Sequence, residues 1–98
     1  MKETHMKVTY DPAKRQRTLV ERGLDFNDAP RVFAGFHLTD PDLRMDYGED
    51  REITVGLLDD AVVVVVWTER QDSRRIISMR KAHKNEREGY FEQLDRPG

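Results

Sequence analysis

The densest chemistry in the chain lies between Trp67 and Ala82. Trp67-Thr68-Glu69-Arg70 is followed, after a short turn, by Arg74-Arg75-Ile76-Ile77-Ser78-Met79-Arg80-Lys81-Ala82. Alternation along an extended strand puts Ile76, Ser78 and Arg80 on one face and Arg75, Ile77 and Met79 on the other. Polar and cationic groups gathered on one face of a sheet, as Ser78 and Arg80 are, can hold a nucleic-acid backbone. The other reading of the same residues is a solvated face whose edge charges block aggregation. Other chemistries are excluded or unsupported. The chain has no cysteine, which removes disulfides, thiolate metal sites and a cysteine nucleophile. His5, His37 and His83 lie far apart without metal-ligand spacing, so neither a metal nor another cofactor is expected. No glycine-rich phosphate loop and no nucleophile elbow occur.

Local signals place these residues on elements. Lys7-Val8-Thr9-Tyr10 reads as a short strand. Asp11-Pro12 starts a helix that runs to Glu21 or Arg22 and stops at Gly23, with Leu19 and Val20 as a thin apolar stripe. A second helix begins at Asp25 or Asn27, carries Ala29, Val32 and Phe33 on one face, and ends at Gly35. Strands are predicted over 36–39, 51–57, 61–68 and 75–79, with turns at Asp59-Asp60 and Gln71-Asp72-Ser73. The run from Ala61 to Trp67 is apolar throughout and must be a central strand; Trp67 belongs to its core, although it could also stack on a base. A last helix spans 83–94, with Tyr90, Phe91 and Leu94 as its apolar face and His83 and Glu86 forming a capping box. The expected fold is α+β, in the order β-α-α-β-β-β-β-α, with an antiparallel sheet and helices packed on one face.

The chain's 98 residues suit a single domain, with 1–6 as an N-terminal extension and 95–98 as a tail. Met6 is an alternative start. The longest apolar run, seven residues, is far short of the roughly 20 needed to span a membrane. The N-terminus has no signal-peptide pattern, so a soluble, cytoplasmic protein is expected. The net charge of −2 conceals segregation: residues 12–23 and 69–90 each carry a surplus of three bases, while 24–60 hold ten acids against three arginines. If the basic segments meet, they form a positive face that the total does not report. The acidic loop 40–50 would either discourage RNA nearby or lie on the far side.

Tyr10-Asp11-Pro12-Ala13-Lys14, Arg22-Gly23-Leu24-Asp25-Phe26 and Ala29 with Val32-Phe33 resemble the N-terminal half of the BrnT toxin family. Arg51-Glu52-Ile53-Thr54-Val55-Gly56, Thr68-Glu69-Arg70, Arg75 to Ala82, and Glu86-Arg87 with Tyr90 resemble its C-terminal half, so the likeness spans about residues 7–91 in order. Among the departures, Arg22 stands where the family usually has histidine, which removes one possible proton-transfer group. The resemblance implies a RelE-like ribonuclease toxin of a type II system that arrests translation. It also implies neutralisation by a BrnA-like ribbon-helix-helix antitoxin, in a heterotetramer that reaches operator DNA only through the antitoxin.

Metal-independent RNA cleavage needs a base for the 2′-hydroxyl, an acid for the 5′-oxygen and cations on the phosphate. Arginine suits the last role because its fork binds two oxygens and stays charged. Arg80 and Arg70 are the first candidates, with Arg75 next and Lys14 able to reach the same phosphate or act as an acid. Glu69 is the candidate base, with an ion pair to Arg70 across the turn as the equally weighted other reading; His83 is a second proton-transfer group. Lys81, His83 and Arg87 join Arg75 as candidate RNA contacts. A catalytically inactive module of the same fold that binds a protein or nucleic acid is the alternative.

Overall fold

Asp11 and Gly23 fix the ends of the first helix, α1 (Pro12–Arg22). The Asp11 carboxylate accepts the Ala13 N–H at 3.0 Å. Gly23 adopts φ 70°, a conformation that costs glycine little, and its N–H returns to the Leu19 carbonyl at 3.0 Å. The computed structural model describes residues 6–96, so residues 1–5 of the extension expected at 1–6, and 97–98 of the tail expected at 95–98, lie outside the described residues. Met6 packs against the core. The apolar stripe expected on α1 reduces to Leu19, because Val20 is 72% exposed. Polar ties hold α1 instead. Arg15 donates twice to Asp25, at 2.7 and 2.8 Å, and Arg22 Nη1 donates to the Met79 carbonyl at 2.7 Å.

The second helix does not start directly at Asp25 or Asn27. The Asp25 carboxylate accepts the Asn27 N–H at 2.9 Å and opens a 3-10 turn, Phe26–Asp28, that leads into α2 (Ala29–Ala34). Pro30 sits in the first turn of α2, where its missing N–H would have had no helical partner.

The strands are β1 (Val8–Thr9), β2 (His37–Pro41), β3 (Glu52–Leu58), β4 (Ala61–Arg70) and β5 (Ser73–Lys81), followed by α3 (Lys84–Leu94). They form one sheet in the order β1-β5-β4-β3-β2. The sheet is mixed, not antiparallel throughout. Tight turns force β3, β4 and β5 to alternate in direction, but no turn links β1 to β5, and β1 joins it in parallel through Val8↔Arg74 and Thr9↔Arg75.

Helices cover both faces, which corrects the expectation of one. On one side Val63, Val65 and Trp67 pack with Phe26, Ala29, Val32 and Phe33; on the other, Val62 and Val64 pack with Ala82 and Tyr90 of α3. A strand buried on both faces has no polar side to alternate with, hence the unbroken run of valines. Gly56 allows α2 to seat on β3: a Cβ there would lie 2.8 Å from Val32 Cγ1. Trp67 is a core residue, its Nε1 donating to Thr54 Oγ1 at 2.8 Å.

A β-bulge changes the face pattern of β5. Val66 pairs with Ser78 and Trp67 with Ile76, so Ile77 has no partner on β4. Ile76 and Met79 therefore both enter the α2-side core, three residues apart. Ile76 does not share a face with Ser78 and Arg80, and Arg75 does.

Candidate nucleic-acid interface

Alternation along β4 turns Val62, Val64, Val66, Thr68 and Arg70 toward the α3 side. Their register partners on β5 place Arg80 opposite Val64, Ser78 opposite Val66 and Arg75 opposite Thr68. α3 covers one end of this face. The loop between β2 and β3 crosses the other: Thr68 Oγ1 donates to the Asp50 carbonyl at 2.6 Å, and Arg70 Nη1 reaches Glu49 Oε1 at 3.2 Å. Arg75, Ser78 and Arg80 lie between these two walls.

Arg80 is held from behind. Its Nη1 and Nη2 donate to the two carboxylate oxygens of Glu86, at 2.8 and 2.9 Å, and Nη1 also reaches the Lys81 carbonyl at 3.3 Å. Glu86 accepts the His83 backbone N–H at 2.7 Å as well, which ties Arg80 to the start of α3. The Arg80 hydrogen bonds hold the Glu86 carboxyl down to about 2, against the opposing effect of burial, and the Arg80 guanidinium is raised in turn. The exposed His83 ring brings Nδ1 to 3.6 Å from Glu86 Oε1.

The loop contributes Arg44, a residue the sequence reading missed. Its Nε and Nη2 donate to the two oxygens of Asp42, each at 2.8 Å, and its backbone N–H reaches Asp42 Oδ1 at 3.2 Å. The Asp42 side chain is fully buried, while Arg44 is 62% exposed. The hydrogen bonds from Arg44 hold the Asp42 carboxyl well below the usual carboxylate range. The only available signal was the Asp42-Leu43-Arg44 spacing, which lets an arginine fold back on an aspartate two residues earlier. The acidic loop thus lies over the α3-side face, with Asp42 and Glu49 engaged by arginines.

The remaining candidates are dispersed. Arg70 shares the face with Arg80 but is level with Ser73, six residues along β4 from the partner of Arg80. At strand rise that is about 20 Å, so the two arginines do not meet at one phosphate. Glu69 points to the α2 side, opposite Arg74, and does not pair with Arg70. Arg74 stacks over Trp67 and Phe33, at 4.2 and 4.5 Å from the ring centroids. Lys81 pairs in register with Val63, on the α2 side. Arg87 Nη1 donates to the Ala82 carbonyl at 3.1 Å, and Tyr90 is buried with its hydroxyl on the Phe36 carbonyl at 2.9 Å. Lys14 is half-buried in the first turn of α1 and makes no ion pair with another described residue. Arg22, bonded to Met79, has a structural contact in place of the family's usual histidine. Among the described residues no three His, Cys, Asp or Glu side chains converge on a metal position, and no helix is long and apolar enough to cross a membrane.

The structure is a small mixed α+β domain with carboxylate-braced arginines on one sheet face, a chemistry suited to holding the oxygens of a phosphate. The model of one family, described as the ribonuclease toxin BrnT of type II toxin-antitoxin systems, matches residues 10–86, and the chain belongs to that family. A search of curated proteins gave no match. The matched span contains Arg44, Arg75, Arg80 and Glu86.

Proposed function

We propose that this ribonuclease toxin is a metal-independent endoribonuclease on a RelE-like scaffold, acting in the cytoplasm to arrest translation. A BrnA-like ribbon-helix-helix antitoxin neutralises it within a heterotetramer. The observation that carries the catalytic part is the bracing of Arg80 by Glu86 beside Ser78 and Arg75. A fixed guanidinium can stabilise the charge that grows on the phosphate without a metal ion. In this reaction the 2′-oxygen loses its proton to a base and attacks phosphorus, and the 5′-oxygen leaves with a proton from an acid. The products are a 2′,3′-cyclic phosphate and a 5′-hydroxyl. His83 is the proton-transfer group on the same side as Arg80, whereas Glu69 faces away, so His83 takes that role in this reading. Arg75 binds a flanking phosphate.

The test is cleavage of labelled RNA by partner-free protein in EDTA. Wild type should cut, and Arg80→Ala should lose at least about 100-fold in rate, the scale of removing one transition-state donor. A folded wild type that cuts nothing would replace this reading with the inactive binding module.

A further inference from the structure

A guanidinium has two edges that can grip a pair of oxygens: a side edge, Nε–H with Nη2–H, and an end edge, Nη1–H with Nη2–H. Glu86 takes the end edge of Arg80, through Nη1 and Nη2, and leaves Nε–H and the outer Nη2–H open. Asp42 does the opposite to Arg44. It takes the side edge, through Nε and Nη2, and leaves Nη1 without a carboxylate on an exposed side chain, with the Tyr47 hydroxyl alongside. Asp42 has no access to solvent, and its oxygens are spent on Arg44 and on the loop. A buried carboxylate committed to one exposed arginine fixes where that arginine points.

The loop that carries Arg44 crosses the face that carries Arg80, secured by Thr68 to Asp50 and by Arg70 to Glu49. We infer that Arg44 is a second phosphate-binding residue of the ribonuclease site, its Nη1 end acting with the side edge of Arg80 on the RNA backbone, and that Asp42 and Glu86 are their positioning residues. The inference rests on the ribonuclease reading above and adds a residue and a division of labour to it. The Arg44 charge opposes the lift that Glu86 gives the Arg80 pKa, so each cation feels the other. An anion seated between them relieves that repulsion. Glu49, in the same loop, is already bound to Arg51 and Arg70.

The experiment measures binding of a short RNA with 2′-O-methyl groups, which cannot be cleaved, by fluorescence anisotropy across a salt series. Cleavage of the unmodified RNA is followed in parallel. Arg44→Ala should weaken binding about tenfold and reduce the salt slope by about 0.7, the loss of one single-strand phosphate contact. Arg44→Lys should restore the slope but not the affinity, since it keeps the charge and loses the fork. Asp42→Asn should behave like Arg44→Ala in KM and affinity with Arg44 still present, an outcome that a purely structural loop contact would not give if the melting temperature is unchanged. Arg17→Ala, on an exposed turn of α1, is the control. Arg44→Ala with wild-type affinity and slope, in a preparation that cleaves RNA, overturns the inference and leaves the ribonuclease reading standing. Wild type that binds more tightly than Arg44→Ala yet cuts nothing overturns the ribonuclease reading and keeps the clamp.

Discussion

Glu86 joins two systems: it orients Arg80 and accepts the backbone N–H of His83, the residue that caps α3. Its folded pKa of about 2 lies below the ordinary 4.5, so ionisation favours the folded state. The contribution is fully present above about 4.5 and is lost as pH falls toward 2. The urea midpoint of wild type should therefore exceed that of Glu86→Gln at neutral pH. The gap should narrow below 4.5 and close near 2, while Asp25 and Glu49 titrate in both proteins and cancel. A gap independent of pH would show that the charge on Glu86 does not carry the anchor. At this scale the sequence was half legible. Arg80 stood out because strand alternation gives each residue a face, but the same alternation put Arg75 on the wrong face, because the bulge at Ile77 leaves no mark in the residue pattern. Arg44 did not stand out, because its value comes from a buried aspartate and from a loop path that no periodicity encodes.

Helix ends and hairpin strands were readable because their signals are local: Asp11, Pro12 and Gly23 for α1, and alternation for β3. The sequence reading put every helix on one face, although the valine run of β4 already required cover on both. The fit of α2 against β3 depends on a missing side chain. Gly56→Ala should destabilise the fold by about 1–3 kcal/mol through overpacking against Val32, read as a lower denaturation midpoint. Val32→Ala in the same chain should recover part of the loss, since it removes the atom that the new Cβ meets. Full stability in Gly56→Ala would mean that α2 shifts freely on the sheet.

Across the whole molecule, a net charge of −2 would repel RNA if it were spread evenly. The fold concentrates Arg44, Arg70, Arg75 and Arg80 on the α3 side. RNA binding should therefore weaken with salt despite the negative total, and Arg75→Ala should reduce the slope by about 0.7. Arg31→Ala, in α2 beside Asp28 and Asp59, should leave the slope unchanged. Equal effects from both substitutions would mean that binding is diffuse and that the face has no special role. Segment charges along the chain pointed to a face shared by 12–23 and 69–90, whereas the arginines gathered here come from 69–90 and, through Arg44, from the acidic segment, which only the sheet register and the loop path reveal.

Arg74 and Arg75 are neighbours of identical chemistry with opposite careers: one lies against Trp67 and Phe33, the other faces the opposite side of the sheet. What separates them is parity. The stretch from Arg75 to Ser78 contains one residue more than its partner stretch on β4, and that surplus, Ile77, is left out of the pairing. Were Ile77 brought into step, each residue before it would turn over, so that Arg75 would lie beneath α2 and Arg74 would emerge among the cations. The odd or even count of a few strand residues, and not the arginine content of the segment, thus decides which guanidinium braces the core and which one is turned to the opposite face.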